Sequence, residues 1–235
     1  MQVTVWRGGA DEAGFYQAFQ VPKYDSQTVL DVVAWIQQNA DPTLSYRFAC
    51  RVGMCGSCGM MVNGVPRWTC RTHVDRVMDR GGLKIAPLRN LPVIKDLATN
   101  MDPFFDKWTQ AGGLHHGTAT RHDPFEPVTH SSPGRADADA GIECINCAVC
   151  YAACDTVTGD PDYLGPAALN RAWTLVNDAK DGSRDAILDA VTGSGGCQSC
   201  HSMGSCAQYC PNELNPMASI AGLKRTAMKR AFRGR

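Results

Sequence analysis

The sequence predicts an α+β protein with two modest domains, and three observations carry that prediction. A chain of 235 residues is long enough for two cores of ordinary size. Strand patterns and an amphipathic helix fill its N-terminal part, whereas candidate helices and loops fill its C-terminal part. The segment between them is rich in turn-forming residues and lacks periodicity. We therefore predict an α+β domain over residues 1–109, a linker over 110–140 and an all-α domain over 141–235.

Residue patterns predict the elements of the N-terminal domain. Alternating apolar residues predict strands, apolar residues at helical spacing predict helices, and Asn63-Gly64 predicts a tight hairpin turn. Thr28 and Asp31 form a capping-box pattern at the start of the first helix. The predicted elements are strands over 3–6 and 15–21, a helix over 28–39, a hairpin over 60–65, and a helix over 93–108 that breaks near Pro103.

Helical spacing dominates after the linker. Helices are predicted over residues 167–176, 184–191 and 217–231. A domain of this size has a limited apolar core, so we expect bound inorganic clusters to contribute much of its stability.

Composition and missing motifs exclude several function classes. The chain carries 23 Lys+Arg and 23 Asp+Glu, and this balance argues against a protein that binds nucleic acid by neutralising phosphates. No apolar run is long enough to span a bilayer, and we expect no secretory signal at the N-terminus. Neither nucleotide-binding glycine motif occurs in a suitable setting, so flavin, nicotinamide and substrate chemistry are expected on a partner.

Twelve cysteines fall into three groups of four. In the reducing compartment that the missing signal predicts, clustered cysteines favour metal or redox sites over disulfides. The first group is Cys50, Cys55, Cys58 and Cys70, which has the plant-type spacing for a [2Fe-2S] cluster. Glycines in this loop allow backbone N–H groups to approach the sulfurs. A structural zinc site is the alternative.

The second group has the bacterial ferredoxin spacing, Cys144-x2-Cys147-x2-Cys150-x3-Cys154. In such a run three cysteines hold one [4Fe-4S] cluster, and the fourth cysteine binds a second cluster. A partner run that ends in Cys-Pro must therefore return the missing ligand, and Cys210-Pro211 fits that role.

Counting back from Cys210 places ligands at Cys206 and Cys200, with Met203 where the middle cysteine belongs. A neutral thioether does not replace a thiolate on iron. Cys154, Cys200 and Cys206 therefore predict a [3Fe-4S] cluster, while Cys144, Cys147, Cys150 and Cys210 hold the [4Fe-4S] cluster. Cys197 is left over, either as an unpaired thiol, which we favour, or as a substitute fourth ligand. Three clusters in series predict transfer of single electrons between a donor and an acceptor.

Several longer motifs surround the cysteines and extend along most of the chain. They are Leu44-Ser45-Tyr46-Arg47, Cys55-Gly56-Ser57-Cys58-Gly59-Met60-Met61-Val62-Asn63, Cys144-Ile145-Asn146-Cys147, Cys150-Tyr151-Ala152-Ala153-Cys154, Gly165-Pro166-Ala167-Ala168, Cys206 to Cys210-Pro211, and Asn215-Pro216. Through these motifs nearly the whole chain resembles the iron-sulfur subunit of succinate dehydrogenase and quinol:fumarate reductase. The resemblance implies an N-terminal β-grasp ferredoxin-like domain and a C-terminal helical domain with two clusters.

The resemblance also implies partners and a place in the cell. Electrons would pass between the FAD of a flavoprotein subunit and a quinone at membrane anchor subunits, through the [2Fe-2S], [4Fe-4S] and [3Fe-4S] clusters in that order. The chain would lie peripherally on the cytoplasmic face of a bacterial inner membrane, or on the matrix side in mitochondria. The direction of the succinate-fumarate reaction, the quinone type and the presence of haem b in the anchor are left open.

Two residues match family positions near the quinone. His201 follows Cys200 directly, and Lys224 interrupts the apolar stripe of the last predicted helix. A histidine that bonds only to the cluster loop and a lysine that extends from the stripe's edge are the alternatives. Asp155 stands where the family commonly has proline, and Gly159 where succinate dehydrogenases usually have tryptophan. We therefore expect a quinone pocket of different construction.

Two rival functions fit parts of the pattern. One is a soluble redox partner of the same build that never meets quinone, and the other is a zinc-stapled interaction protein without redox activity. Membrane subunits in the purified complex would distinguish the first, and iron with sulfide would distinguish the second.

Overall fold

The strands that the structure describes all lie within the first 100 residues. The computed structural model describes residues 1–132 and 134–233; Pro133 of the predicted linker and Gly234 and Arg235 of the predicted helical domain lie outside the described residues. The strands are β1 (Gln2–Arg7), β2 (Phe15–Gln20), β3 (Gly59–Val62), β4 (Val65–Trp68), β5 (Leu83–Ala86), β6 (Val93–Lys95) and β7 (Ala98–Thr99).

Helices dominate the rest of the described chain. None of them is long and apolar enough to cross a membrane. The α-helices are α1 (Val29–Asn39), α2 (Val74–Val77), α3 (Asp102–Gln110), α4 (Arg135–Asp139), α5 (Val149–Ala152), α6 (Asp155–Gly159), α7 (Pro166–Asn177), α8 (Arg184–Thr192), α9 (Ser205–Gln208) and α10 (Pro216–Arg233).

The chain divides into two compact units. The first comprises Met1–Pro103 with Ile145–Ala153, and the second comprises Phe104–Cys144 with Cys154–Arg235. These limits differ from the predicted ones because 110–140 groups with the helical unit. In that segment the His116 N–H donates to Asp181 Oδ2 at 3.0 Å, and Arg171 Nε donates to the Gly113 carbonyl at 3.0 Å. Turn-forming composition did not reveal that the segment packs on the helices.

A mixed five-stranded sheet with strand order β2-β1-β5-β3-β4 forms the first unit. β1 and β5 are parallel, and the other neighbouring strands are antiparallel. Helix α1 buries Val29, Val32, Val33 and Ile36 in one core with residues of β1, β3 and β5. Burying such side chains contributes about 1.5–3 kcal/mol each. This arrangement confirms the predicted β-grasp ferredoxin-like domain.

The predicted capping box is present at the start of α1. Thr28 Oγ1 accepts from the Asp31 N–H at 3.2 Å, and Asp31 Oδ2 accepts from the Thr28 N–H at 3.0 Å. Two backbone donors that the first helical turn leaves unpaired are thereby satisfied.

Thr28→Ala is expected to lower the free energy of unfolding by about 1 kcal/mol, because it removes the side-chain acceptor at the helix start. Anaerobic guanidinium unfolding of the full chain, followed by circular dichroism, measures the shift. Gln38→Ala, at an exposed position of the same helix, is the control. Equal unfolding midpoints for Thr28→Ala and the control would contradict the role of the cap.

The predicted hairpin joins β3 to β4. Asn63 and Gly64 have φ of 49° and 80°, the positive values that a tight two-residue turn requires. The Asn63 side chain also donates to the Val77 carbonyl at 2.8 Å and accepts from the Lys84 N–H at 2.6 Å. The turn therefore fixes both the hairpin and the neighbouring strand β5.

The prediction of a helix over 93–108 is wrong for residues 93–101. Residues 93–99 form the paired strands β6 and β7, and α3 begins only at Asp102. Pro103 lies in the first turn of α3, where backbone N–H groups have no acceptor within the helix. Its missing N–H therefore costs no helical hydrogen bond, and Pro103 is compatible with the start of α3 and does not break the helix.

A buried ion network ties β1 to the segment after β6. Arg7 Nε donates to Asp96 Oδ1 at 3.0 Å, and Arg7 Nη1 contacts Asp41 Oδ2 at 2.5 Å. Asp96 also accepts from the backbone N–H groups of Gly8 at 3.2 Å and Ser45 at 2.9 Å. The hydroxyl of Thr43 and the guanidinium of Arg7 hold the pKa of Asp41 at about 2.

Helices α7, α8 and α10 form the core of the second unit. Leu169 and Leu175 of α7 pack in its interior, and Ile220 and Leu223 of α10 are likewise almost fully buried. Each of these helices agrees with its prediction to within two residues at either end. The predicted helical C-terminal domain is confirmed.

Candidate iron-sulfur centres

The loop before β3 directs backbone donors at one cysteine. The N–H groups of Met54 and Cys55 donate to Cys50 Sγ at 3.2 and 3.3 Å. Gly53 and Gly56 have φ of 79° and 71°, values that a residue with a Cβ rarely adopts. The predicted glycine-dependent wrapping of sulfur is therefore present at these two glycines, whereas Gly59 lies in β3.

The other cysteines of the first group lie beside Cys50. The Ser57 hydroxyl donates to Cys55 Sγ at 3.1 Å and lowers the pKa of the Cys55 thiol to about 6. Cys58 and Cys70 are buried, and burial together with Cys58 raises the pKa of the Cys70 thiol to about 12. Because iron binds thiolates, a cluster bound by these cysteines would release their protons and would stabilise the loop that surrounds it.

The first loop makes a close approach to the second cysteine group within the same unit. A Cβ added to Gly56 would lie 2.7 Å from Cys147 Cβ and 2.8 Å from Cys147 Cα. Arg89 Nε donates to the Ala152 carbonyl at 3.1 Å, and Asn90 Nδ2 donates to the Tyr151 carbonyl at 3.0 Å. These contacts hold 145–153 on the N-terminal unit, which the sequence did not predict.

The four cysteines predicted for the [4Fe-4S] cluster belong to both units. Cys147 and Cys150 lie in the first unit, whereas Cys144 and Cys210 lie in the second. Cys150 is buried and the other three are half-buried. Their assignment as one ligand set stays a prediction.

The three cysteines predicted for the [3Fe-4S] cluster line one cavity of the second unit. Cys154 directly precedes α6 as its N-cap residue, Cys200 lies in the loop before α9, and Cys206 lies in α9. The cavity is small, with a volume of about 20 Å³. The Ser202 N–H donates to Cys200 Sγ at 3.4 Å, and burial raises the pKa of the Cys206 thiol to about 11. Sulfur donors from two distant runs therefore converge on one cavity, as a cluster requires.

Met203 also lines this cavity, with 63% of the residue exposed. The cavity lining contains no fourth cysteine, and Cys197 is not part of it. Cys197 is fully buried elsewhere in the second unit, and burial raises the pKa of its thiol. The residues present thus fit a cluster with three protein ligands.

Tyr163 is a residue of this cavity that sequence reasoning missed. It is fully buried, and its hydroxyl has no hydrogen-bond partner among the described residues. Burial raises its pKa, and the nearby Cys200, Cys154 and Cys206 raise it further. Tyr163 lies in the short segment between Pro161 and α7. A single tyrosine in such a segment forms no sequence pattern that would predict its burial at the cavity.

The two residues predicted near the quinone also lie at this cavity or its ligand loop. His201 is exposed and lines the cavity. Lys224 of α10 is half-buried, and its Nζ donates to the Cys200 carbonyl at 2.6 Å. Lys224 therefore fixes the backbone of a predicted cluster ligand, a role that neither sequence alternative included.

The two departures from the family pattern lie on α6. Asp155 occupies the first turn of α6, where its negative charge is favourable near the helix N-terminus. Gly159 ends α6, and a Cβ added there would meet nothing within 4 Å. The site of the usual tryptophan is therefore open in this chain.

Comparisons with known proteins agree with this geometry. Residues 2–106 match a family model described as a 2Fe-2S iron-sulfur cluster binding domain, and residues 143–215 match one described as a 4Fe-4S dicluster domain. The fold resembles a chain of the Mycobacterium smegmatis Sdh1 complex in the apo form, with a TM-score of 0.84 and 23% identity over 98% of this chain and 96% of that chain. At this identity the likeness shows the fold alone.

Three curated relatives are similar over most of their lengths. The fumarate reductase iron-sulfur subunit of Mycobacterium tuberculosis is 34% identical over 99% of this chain and 94% of its own. That of Escherichia coli O6:H1 is 33% identical over 94% and 89%. The succinate dehydrogenase iron-sulfur subunit of Paracoccus denitrificans is 33% identical over 86% and 77%. With both cluster-binding domains and this identity over nearly its whole length, the chain belongs to the family of electron-transferring iron-sulfur subunits of fumarate reductases and succinate dehydrogenases.

Proposed function

We propose that this chain conducts single electrons between the FAD of a flavoprotein subunit and a quinone at a membrane anchor. The observation that carries the proposal is the convergence of Cys154, Cys200 and Cys206 on one cavity, beside an exposed Met203 where a fourth ligand would be. A site built for three ligands is the feature expected at the quinone end of such a relay, and it is absent from ferredoxins with two complete runs.

The ligand sets follow the cysteine runs. When bound, the clusters supply one-electron carriers whose potentials depend on cluster type and on hydrogen bonds to sulfur. We assign [2Fe-2S] to Cys50, Cys55, Cys58 and Cys70, [4Fe-4S] to Cys144, Cys147, Cys150 and Cys210, and [3Fe-4S] to Cys154, Cys200 and Cys206.

This chain's residues position those ligands. The N–H groups of Met54 and Cys55 fix Cys50, and the close packing of Gly56 on Cys147 keeps two ligand-bearing loops adjacent. Cys154 continues the same run as Cys147 into the third site. This order along the chain supports the sequence [2Fe-2S], [4Fe-4S], [3Fe-4S] from flavin to quinone.

The surface beside the first cysteine group has features of a protein-binding site. Phe48, Val52 and Met54 are exposed beside the cysteines, with Met54 71% exposed. Exposed apolar side chains that cluster in this way are typical of protein interaction sites. We assign this face to the flavoprotein subunit.

Residues at the cavity that Cys154, Cys200 and Cys206 line support our proposal that this side of the chain faces the anchor and the quinone. His201 is exposed there and supplies a titratable hydrogen-bonding group, while Lys224 holds the Cys200 loop in place. The open space beside Gly159 gives this pocket a shape that differs from one with tryptophan. We place the chain peripherally at the cytoplasmic face of an inner membrane, or the matrix face in mitochondria, through its anchor subunits; haem b in the anchor and the reaction's direction stay open.

Purification of the native complex tests the proposal. We expect a flavoprotein and at least one membrane subunit to copurify in detergent, and succinate-quinone activity in at least one direction. A complex that leaves the membrane without detergent, lacks a membrane subunit and does not react with quinone would instead support a soluble redox partner.

A further inference from the structure

Tyr163 is fully buried, so its hydroxyl is a polar atom in the interior of the protein. A phenylalanine at this position would fill nearly the same space without a polar atom. The Tyr163 hydroxyl is enclosed, makes no hydrogen bond within the described residues, and lies on the wall of the cavity that Cys154, Cys200 and Cys206 share. A buried hydroxyl without a partner is unfavourable, and buried polar side chains are nearly always hydrogen-bonded. We therefore look for the acceptor of this hydroxyl in a group that binds in the cavity.

Pro166, Met217 and Ile220 contribute apolar surface to the cavity wall. The wall also has polar residues, but none of them accepts a hydrogen bond from the Tyr163 hydroxyl; they are Asp155, Thr156, His201, Ser202 and Ser205. The groups that lie beside the hydroxyl are the thiols of Cys200, Cys154 and Cys206. A sulfur of a ligand or of a bound cluster is therefore the acceptor that the cavity offers. Cluster sulfurs carry negative charge and accept hydrogen bonds, so binding the cluster would satisfy the hydroxyl.

We propose that the Tyr163 hydroxyl donates a hydrogen bond to a sulfur of the [3Fe-4S] centre and raises its reduction potential. The inference rests on the proposed function, because it requires that the cavity hold this cluster. A donor to sulfur stabilises the reduced state more than the oxidised state, since the added electron increases the negative charge on sulfur. Tyr163 thus makes the last carrier a better electron acceptor.

The test replaces Tyr163 by phenylalanine in the full complex. In Tyr163→Phe we expect the equilibrium constant for one-electron reduction of the [3Fe-4S] centre to fall about tenfold, which corresponds to a midpoint potential about 59 mV lower. EPR-monitored redox titration measures this shift. Electron-nuclear double resonance after exchange into D2O should show one exchangeable proton coupled to the wild-type centre that the variant lacks.

Ile220→Val is the matched control, because it changes the packing of the same cavity without removing a donor. The [2Fe-2S] and [4Fe-4S] clusters of Tyr163→Phe are internal controls, and their reduction potentials should not change. The reduction potentials of all three clusters in Ile220→Val should also equal those of the wild type. An unchanged [3Fe-4S] potential and an unchanged proton spectrum in Tyr163→Phe would overturn the inference. A wild-type complex without any [3Fe-4S] signal would instead overturn the proposed function.

A second substitution keeps the test decisive if Tyr163→Phe does not assemble. Fluorotyrosine incorporated at position 163 preserves size and hydroxyl but is a stronger donor, so the potential of the [3Fe-4S] centre should rise. No change in potential with this more acidic donor would contradict the proposed hydrogen bond.

Discussion

Met203→Cys is expected to convert the three-ligand centre into a [4Fe-4S] cluster. The substitution restores the middle cysteine of the last run and places a thiolate at the cavity that Cys154, Cys200 and Cys206 line. The exposed position of Met203 means that its loss leaves little packing to repair. The change therefore isolates ligand chemistry from folding.

A lower potential should follow, because the oxidised [3Fe-4S] core is entirely ferric whereas the oxidised [4Fe-4S] core already contains ferrous iron. A fall on the order of 100 mV, well within the range that cluster type sets, would lower the equilibrium constant for reduction about 50-fold. EPR and iron analysis measure the conversion, and quinone reduction by succinate measures its consequence. Met203→Leu supplies no thiolate and should behave as wild type. Unchanged iron content in Met203→Cys would contradict our interpretation of position 203.

Asp96→Ala is expected to lower the free energy of unfolding by about 3–5 kcal/mol, the cost of removing one partner of a buried ion pair. Asp96 is 2% exposed and accepts from Arg7 and from the N–H groups of Gly8 and Ser45. The substitution leaves all three donors short of an acceptor. Its φ of 49° adds strain for alanine, which adopts positive φ less readily than aspartate.

Anaerobic guanidinium unfolding, followed by circular dichroism, tests this expectation. Asp96→Asn tolerates the backbone angle and keeps one oxygen acceptor, so it should lose less stability than Asp96→Ala. Asp11→Ala, at an exposed position, is the control and should unfold like the wild type. If Asp96→Ala unfolds at the same guanidinium concentration as Asp11→Ala, the ion network does not stabilise the domain as described.

Local signals made much of the fold predictable. Thr28 with Asp31 and Asn63 with Gly64 determine backbone geometry through short-range hydrogen bonds and positive φ, so their elements agree with the prediction. Strand β5 was missed because its four residues are too few to show a period, although it is central in the sheet. The strands after residue 92 were mistaken for helix because tertiary pairing overrides a weak local pattern.

The candidate ligand sets could be predicted from sequence because cysteine spacing is a property of the chain itself, and their assignment to clusters stays a prediction. The contacts that surround these cysteines could not be predicted, because they join residues far apart in sequence. Gly56 contacts Cys147, which lies 91 positions later in the sequence, and Lys224 donates to the Cys200 carbonyl from helix α10. Tyr163 stands out only once its burial and its unsatisfied hydroxyl are known.

The most direct measurement of the central claim is EPR spectroscopy of the native complex in its oxidised and reduced states. The oxidised sample should show a [3Fe-4S] signal, because this cluster is paramagnetic when oxidised, and reduction should produce the [2Fe-2S] signal. Both signals should change when succinate or reduced quinone is added. An oxidised complex without a [3Fe-4S] signal would contradict the three-ligand site and, with it, the proposed path of electrons to quinone.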